Sequence, residues 1–244
     1  MTGFGGDGRG VWCTDSSPGT VARMARAGFD WIALDLQHGV YSRTELIEVA
    51  RCFPFDSAEL VVRVASCDFA AIGSALDAGA TSVIVPQIAA VAEAERAVAA
   101  TFYPPLGGRS RGELVRTWGR AESAPAELNA KTTCAVMIES ADGLAAVEAI
   151  AAVPGLGQLF IGPHDLSLSL GTTVEALLDD DAPGSPLRRI VAAAADHGLT
   201  TGAFAGSPAV ADRFRAHGVT CLVVATDLWI VEQGVAAALS RVRA

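Results

Sequence analysis

Several short apolar runs in this sequence end in side chains that can bind protons, anions or metals. Asp35 ends one run and His38 follows it by three residues, while Arg63 ends the next run. Glu139 ends "CAVMIES", and Asp165 follows "LFIGP". If these runs are neighbouring parallel strands, their ends meet at one edge. The spacing therefore predicts a base, a cation and two carboxylates around one site.

Glu139 and Asp165 would repel each other on neighbouring strand ends unless a positive charge lies between them. A hard divalent cation such as Mg²⁺ or Mn²⁺ suits two carboxylates, with water and substrate oxygens completing its coordination. The alternative is that each carboxylate caps a helix N-terminus, where negative charge is favourable. Spacing alone leaves both interpretations open.

Arg63 ends an otherwise apolar strand, and a buried arginine needs an anion. That anion is either Glu139 or Asp35 in a salt bridge, or an oxyanion that develops during a reaction. His38 is a candidate base, because a carboxylate such as Asp35 beside an imidazole fixes its tautomer and raises its basicity. The alternative for His38 is a solvated loop residue.

Residues 162–165, Gly-Pro-His-Asp, open a predicted helix. The backbone N–H groups of His164 and Asp165 would be free to hold a carboxylate, although such a turn is also common without a function. His197 and His217 precede glycines at predicted helix ends, where a histidine favours the helix dipole. We interpret those two as structural.

Eight short apolar runs alternate with alanine-rich helical stretches. The predicted strands are residues 10–13, 31–35, 60–63, 82–85, 134–138, 158–161, 201–204 and 221–225. The predicted helices are residues 19–27, 43–52, 69–78, 91–101, 143–152, 185–197, 208–217 and 227–241. Gly28, Gly79 and Gly198 follow helices, where a left-handed residue is expected.

This alternation predicts an α/β fold, a closed (β/α)8 TIM barrel in a single domain over residues 1–244. The alternative is an open doubly wound sheet, which eight units without a G-x-G-x-x-G turn disfavour. Residues 102–129 and 172–186 interrupt the rhythm, and we expect functional loops there. Arg109, Arg111 and Arg116 lie in the first of them.

Composition excludes some partners. The net charge is −9 and no basic cluster runs along the chain, which argues against nucleic acid. No apolar run approaches the ~18 residues of a membrane helix, and the N-terminus lacks a signal-peptide pattern. Five cysteines without a C-x-x-C pair, with Cys13, Cys134 and Cys221 in apolar runs, predict reduced core thiols in a cytoplasmic protein.

The motifs resemble a known family. "GFDWIALDLQHG", "VVRV", "ALDAGATSVIVPQI", "YPPLGGRS", "MIES" and "FIGPHDLSLSLG" occur in the order and spacing of the HpcH/HpaI aldolases. The resemblance covers residues 10–239. It implies a class II, metal-dependent pyruvate aldolase, similar to the 4-hydroxy-2-oxoheptanedioate aldolases, that acts on a small 2-oxo acid and an aldehyde.

The resemblance also implies roles for individual residues. Glu139 and Asp165 are similar to the metal-binding carboxylates, and the metal would be Mg²⁺ or Mn²⁺, with Co²⁺ and Zn²⁺ as alternatives. His38 resembles the family's base, with Asp35 oriented against it. Arg63 resembles the arginine that contacts the oxygen of the pyruvate enolate.

Further roles follow from the same resemblance. Asp77 is similar to an aspartate that reaches a neighbouring subunit's site. Gly162, Pro163 and His164 resemble the cradle of the pyruvate carboxylate, and Gln87 and Met137 complete the substrate-binding set. Family members are usually hexamers built as dimers of trimers, with the last helix exchanged, so we expect a homo-oligomer, a hexamer or a trimer.

The only lysine, Lys131, precedes the fifth strand and so lies at the wrong end of a barrel. A Schiff-base aldolase needs a lysine in the mouth, so metal-stabilised enolate chemistry remains. The loop around Arg109 is expected to border the aldehyde or to contact solvent or another subunit.

Two positions depart from the best-known members: Met137 replaces a glutamine, and Gln37 replaces a glutamate. Period-2 alternation puts Met137 on the same side of its strand as Glu139, and a thioether cannot make an amide's hydrogen bonds. Two alternatives therefore stay open. One is an enzyme like the citrate lyase β-subunit or malyl-CoA lyase, and the other is a catalytically weak ligand-binding homologue.

Overall fold

Eight parallel strands close into a barrel in the computed structural model of this chain, which describes residues 3–112, 114–119 and 123–242. Each strand pairs with its sequence neighbour, and the eighth pairs with the first. The strands are β1 (Arg9–Cys13), β2 (Trp31–Asp35), β3 (Glu59–Arg63), β4 (Ser82–Val85), β5 (Cys134–Ile138), β6 (Gln158–Ile161), β7 (Thr200–Phe204) and β8 (Cys221–Thr226). The predicted barrel is confirmed, and no predicted strand end differs from the observed one by more than about one residue.

Helices surround the barrel. They are α1 (Pro18–Arg26), α2 (Arg43–Cys52), α3 (Phe69–Asp77), α4 (Val91–Thr101), α5 (Pro125–Lys131), α6 (Ala141–Ala145), α7 (Val147–Ala151), α8 (Pro163–Ser169), α9 (Val174–Asp179), α10 (Pro186–Asp196), α11 (Pro208–Ala216) and α12 (Asp227–Val242), with a 3₁₀ turn at Leu114–Trp118. None of the helices in the described ranges is long and apolar enough to cross a lipid bilayer.

The prediction of one helix over residues 143–152 was wrong, because two short helices stand there. Ala146 separates them with φ −97° and ψ 6°, outside helical geometry. The two long predicted loops also contain short helices, α5 and the 3₁₀ turn in the first and α9 in the second. These pieces have five to seven residues each, too short for their periodicity to be distinctive.

The predicted helix stops are confirmed. Gly28, Gly79 and Gly198 have φ values of +105°, +115° and +69°, a region that favours glycine. Helix starts are also marked by nearby residues. At the start of α2, Ser42 and Glu45 form a reciprocal capping box. These signals fix where each helix returns the chain to the next strand.

The barrel interior is closed at the end where the strands begin. Phe4 is fully buried and packs edge-to-face on Trp31, with ring centroids 5.1 Å apart. Its N–H donates to Glu59 Oε1 at 3.2 Å, and Gln158 Nε2 donates to its carbonyl at 2.8 Å. Met137 and Phe160 belong to the same inner cluster. These side chains therefore fill the end of the barrel where the strands begin.

All five cysteines carry free thiols, and Cys13, Cys134 and Cys221 are buried as predicted. Burial raises the pKa of Cys134 and of Cys221 to about 12. These thiols stay protonated at neutral pH and serve as small core side chains.

Candidate active site

A cavity of about 320 Å³ opens at the end of the barrel where the strands finish. The structure brings nine of the predicted site residues together in its lining: Asp35, His38, Arg63, Met137, Glu139, Gly162, Pro163, His164 and Asp165. Trp12, Thr14 and Phe204 complete it. Residues from β1, β2, β3, β5, β6 and β7, or directly after them, thus converge on one space.

Two predicted site residues lie outside this lining. Gln87 has a left-handed backbone, with φ +58°, and its N–H donates to Glu139 Oε1 at 2.6 Å. Its contribution to the site is therefore a backbone contact. Asp77 ends α3 and accepts from Arg109 Nη2 at 2.8 Å. Arg109 also stacks on the Tyr103 ring, 4.5 Å from the centroid, and neither Asp77 nor Arg109 lines the cavity.

Arg63 and Asp35 form a two-pronged ion pair across β3 and β2. Arg63 Nε donates to Asp35 Oδ1 at 2.9 Å, and Nη2 donates to Oδ2 at 2.5 Å. The guanidinium lies 5.0 Å from the centroid of the Trp12 ring, whose Nε1 donates to Asp35 Oδ2 at 3.3 Å. Of the two anions that the sequence offered Arg63, Asp35 is the partner.

Burial acts to raise the pKa of Asp35, which is only 1% exposed. The Arg63 hydrogen bonds and charge outweigh that effect, and backbone N–H donors help, so the pKa lies below its ordinary value. Asp35 is therefore ionised throughout the neutral range, and the pair is a fixed, nearly neutral unit at the cavity wall.

His38 reaches the cavity by a different arrangement from the predicted one. The N–H groups of Gln37 and His38 donate to Asp35 Oδ1 at 3.0 and 3.1 Å. No hydrogen bond among the described residues joins Asp35 to the His38 ring, because Arg63, Trp12 and these backbone groups occupy its oxygens. Asp35 therefore orients the backbone that carries His38, and the imidazole itself faces the cavity.

Glu139 follows β5 and is 5% exposed. Burial raises the pKa of Glu139, and the charge of Asp165 raises it further, against the Gln87 N–H and the charges of Arg63 and His38. The possibility that Glu139 caps the next helix is wrong, since Ser140 Oγ accepts from the Gly143 N–H at 3.0 Å and caps α6.

Asp165 lies in the first turn of α8, and Gly162 is the residue before that helix. The predicted turn therefore does open a helix, and the first-turn N–H groups have no partner within it. A Cβ on Gly162 would lie 2.6 Å from Glu139 Oε2 and 2.9 Å from the Met137 methyl. Glycine here leaves room for the Glu139 carboxylate and the Met137 side chain.

Among the described residues, three carboxylates line the cavity, and Asp35 is the one that pairs with Arg63, which leaves Glu139 and Asp165 as the candidates for holding a metal. Glu139 uses Oε1 for the Gln87 N–H, and neither Glu139 Oε2 nor the Asp165 carboxylate has a hydrogen-bond partner within the described ranges. No group of three or more His, Cys, Asp and Glu side chains that could hold a metal occurs in those ranges. A cation here would complete its coordination with water or substrate oxygens.

Sequence reasoning missed the apolar wall of the cavity. Trp12 and Phe204 contact edge-to-face with centroids 5.4 Å apart, and His164 lies 5.9 Å from Phe204. Trp12 stands in β1 and Phe204 ends β7. The sequence contained one hint of this role, which is that each residue lies near the carboxyl end of a strand. By residue type alone, both look like ordinary core residues.

The chain is similar to known proteins of one family. The family model for HpcH/HpaI aldolase/citrate lyase matches residues 9–232. A hydroxypyruvate/pyruvate aldolase of Paraburkholderia phytofirmans is 34% identical over 242 residues, covering 96% of this chain and 92% of the relative. A 2-dehydro-3,6-dideoxy-6-sulfogluconate aldolase of Pseudomonas putida is 32% identical over 228 residues, covering 90% and 86%.

Among solved structures, an HpcH/HpaI aldolase/citrate lyase family protein from Burkholderia cenocepacia J2315 superimposes with a TM-score of 0.85 at 31% identity. The match covers 98% of this chain and 96% of that one. A family match over nearly the whole barrel, with relatives above 30% identity at high coverage, leads to one conclusion. The chain belongs to the HpcH/HpaI aldolase/citrate lyase family.

Proposed function

We propose that this protein is a divalent-metal-dependent aldolase that cleaves or forms 4-hydroxy-2-oxo acids from pyruvate and an aldehyde. One observation supports this most: Glu139 and Asp165, which form no ion pair within the described part of the chain, line the same cavity as a histidine and an arginine. Similar proteins named as aldolases of 2-oxo acids add support.

Glu139 and Asp165 would hold the metal. Their hard oxygens suit Mg²⁺ or Mn²⁺, with Co²⁺ or Zn²⁺ as alternatives. The room left by Gly162 and the partnerless Glu139 Oε2 fit this role. When bound, the cation would polarise the 2-oxo group and stabilise negative charge on its oxygen.

Cations and N–H groups would orient the 2-oxo acid. The first-turn N–H of His164, after Gly162 and Pro163, would receive the carboxylate. Arg63 would face the keto oxygen, with its guanidinium already fixed by Asp35. This leaves the carbon chain of the substrate toward the apolar side chains of the cavity, which include Met137.

In the cleavage direction, His38 would remove the proton from the 4-hydroxyl group of the substrate. The C3–C4 bond then breaks, its electrons form the enolate of pyruvate, and the aldehyde leaves. Arg63 stabilises the enolate oxygen, and protonation of the methylene carbon yields pyruvate. Asp35 takes no proton in this scheme and keeps the His38 backbone and Arg63 in place.

Met137 would shape the donor end. Its side chain is 2% exposed, in contact with the inner apolar cluster and the cavity. A thioether in place of an amide leaves one hydrogen-bonding group fewer beside Glu139. We therefore expect the substrate's apolar part to lie there.

Self-association is part of the proposal. The last helix exposes Leu228, Val231, Val235 and Leu239, each between 53% and 61% exposed and spaced three or four residues apart. Such a stripe suits packing against another copy. We propose a trimer or hexamer in the cytoplasm, in which Asp77 reaches a neighbouring copy's cavity, and light scattering of the purified chain tests the assembly.

Turnover of an aldehyde panel with pyruvate, together with exchange of the pyruvate methyl protons in D₂O, tests the function. We expect exchange with Mn²⁺ and none after EDTA. Glu139→Ala should lose nearly all activity, whereas Glu175→Ala, which changes an exposed carboxylate in α9, should keep it. Activity that persists in Glu139→Ala would contradict the metal assignment.

The same assay separates the alternatives. A requirement for a CoA thioester would favour the citrate lyase β-subunit and malyl-CoA lyase type of enzyme. Absence of exchange with every metal, despite pyruvate binding, would favour a ligand-binding homologue. Turnover of free pyruvate and an aldehyde supports the proposed function.

A further inference from the structure

Asp227, at the end of β8 and the start of α12, is a carboxylate that the proposed reaction does not use. It is 5% exposed. Its Oδ2 accepts from the N–H of Thr14 at 3.0 Å, the N–H of Asp15 at 3.0 Å and the Ser16 hydroxyl at 2.9 Å. Its Oδ1 accepts from the Thr14 hydroxyl at 3.2 Å and the Leu228 N–H at 3.0 Å.

Four of these five hydrogen bonds go to residues 14–16, which follow β1, and only one goes to its own helix. Asp227 therefore does more than cap α12. No ion pair in the described ranges includes Asp227, so neutral donors alone satisfy this buried charge. Hydrogen bonds from neutral donors to a buried carboxylate are strong, which makes this contact a rigid one.

Residues 14–16 in turn hold the loop that carries His38. The Val40 N–H donates to the Thr14 carbonyl at 2.9 Å. The Tyr41 hydroxyl accepts from the Ser16 N–H and donates to the Ser16 carbonyl, both at 2.8 Å. The loop after β1 and the loop after β2 are therefore joined by hydrogen bonds at Thr14 and at Ser16.

Gly39 lies close to the backbone at the contact between the two loops. A Cβ on Gly39 would lie 2.3 Å from the Asp35 carbonyl oxygen and 2.9 Å from the Thr14 carbonyl oxygen. Both atoms belong to the backbone and cannot move aside cheaply. This close approach and the hydrogen bond from Val40 to Thr14 couple the position of residues 14–16 to that of Gly39, the neighbour of His38.

From this chain of contacts we infer that Asp227 is a positioning residue, which sets the place of His38 in the cavity through residues 14–16 and Tyr41. The inference rests on the proposed function only where His38 acts as the base. Thr14, which also lines the cavity, is held by the same carboxylate.

Hydrogen exchange of the whole protein tests the positioning without any activity. In Asp227→Ala, we expect faster amide exchange at Leu228, which loses its own acceptor, and in residues 14–16 and 36–41, including the Val40 N–H. Asp227→Asn retains one oxygen for the three donors at Oδ2, so we expect most of the protection to return. Unchanged exchange in residues 36–41, or faster exchange spread over the whole barrel, would overturn the inference.

Kinetics supply the second readout. We expect Asp227→Ala to lower kcat about 10- to 100-fold, as a misplaced base would, and to change KM for pyruvate less than about threefold. Tyr41→Phe should lower kcat in the same direction, and the double variant should lose less than the product of the two single losses. A purely structural role would reduce folded protein and leave kcat per folded chain unchanged.

If Asp227→Ala does not fold, Tyr41→Phe and Ser16→Ala test the same contact with smaller changes. Each should speed exchange in residues 36–41, and unchanged exchange in both would refute the inference. A wild-type protein without aldol turnover would instead count against the proposed function, and hydrogen exchange would still decide the role of Asp227.

Discussion

Replacing Arg63 by methionine should destabilise the barrel and abolish turnover for one physical reason. The substitution leaves Asp35, 1% exposed, as a buried charge without its cation. The side chains of the pair are 10% and 2% exposed, so solvent does little to screen them. Removing one partner of such a pair costs about 3–5 kcal/mol of unfolding free energy.

The expected change in melting temperature follows from chain length. For a chain of this size, 1 kcal/mol shifts Tm by roughly 2–4 °C, so Arg63→Met should melt about 10 °C below the wild type at pH 7. Arg63→Met/Asp35→Asn removes the stranded charge and keeps an oxygen for the Gln37 and His38 N–H groups. This double variant should recover more than half of the loss.

The pH dependence has a defined sign. The pKa of Asp35 is lowered in the folded protein, so its contribution is present above the ordinary value of 3.8 and is lost as pH falls through the folded pKa. In Arg63→Met the unpaired carboxyl instead resists ionisation. The Tm difference between the two proteins should therefore be full at pH 7 and shrink as pH approaches 4.

Arg215→Met is the control, because Arg215 pairs with Asp212 on the surface at 43% and 74% side-chain exposure. That change should cost less than about 1 kcal/mol. Calorimetric melting of the four proteins at pH 7 and pH 4 decides the matter. The prediction fails if Arg63→Met has the same Tm as the wild type, or if the double variant has a Tm no higher than that of Arg63→Met.

Three further predictions concern the metal end of the cavity. Gly162→Ala places a Cβ 2.6 Å from Glu139 Oε2, so the affinity for Mn²⁺, measured by calorimetry, should fall by about tenfold or more. Unchanged affinity would mean that Mn²⁺ does not bind at Glu139. Burial and the charge of Asp165 raise the pKa of Glu139, so the affinity for Mn²⁺ should fall as pH drops through that pKa, by up to about tenfold per pH unit. Mn²⁺ affinity that does not change with pH, measured by electron paramagnetic resonance, would contradict the role of Glu139 as a metal ligand. Met137→Gln puts an amide into the inner apolar cluster, so the free energy of unfolding should fall by about 1–3 kcal/mol. The KM for pyruvate should change several-fold. A variant with neither change would show that position 137 is not part of the donor site.

Much of the fold could be predicted because its signals are local. Each strand is a short apolar run, and glycines such as Gly28 and Gly79 mark helix ends by their left-handed backbone. Short helices escaped detection because a five-residue element such as Ala141–Ala145 shows little more than one turn of periodicity. The break at Ala146 has no sequence signal, since alanine favours helix.

The charged half of the site could also be predicted, because Asp35, Arg63 and Glu139 interrupt apolar runs. The other half could not. Trp12 and Phe204 look like core residues, and only barrel closure brings β1 next to β8 and near β7. Asp227 bonds to residues 211 to 213 positions away, while its place at a helix start suggests only a favourable helix dipole.

The charges in the cavity explain how an acidic chain could bind an anionic 2-oxo acid. The charge of Arg63 is largely balanced by Asp35, so this pair adds little net field, although the guanidinium still lines the cavity. Glu139 and Asp165 add two carboxylates to the cavity, and the pKa of Glu139 is raised first by burial and further by the charge of Asp165. A divalent cation between them would cancel this repulsion and turn the mouth into a site for an anion. The proposed cation would therefore bind before pyruvate, because without it Glu139 and Asp165 would repel the carboxylate of the substrate.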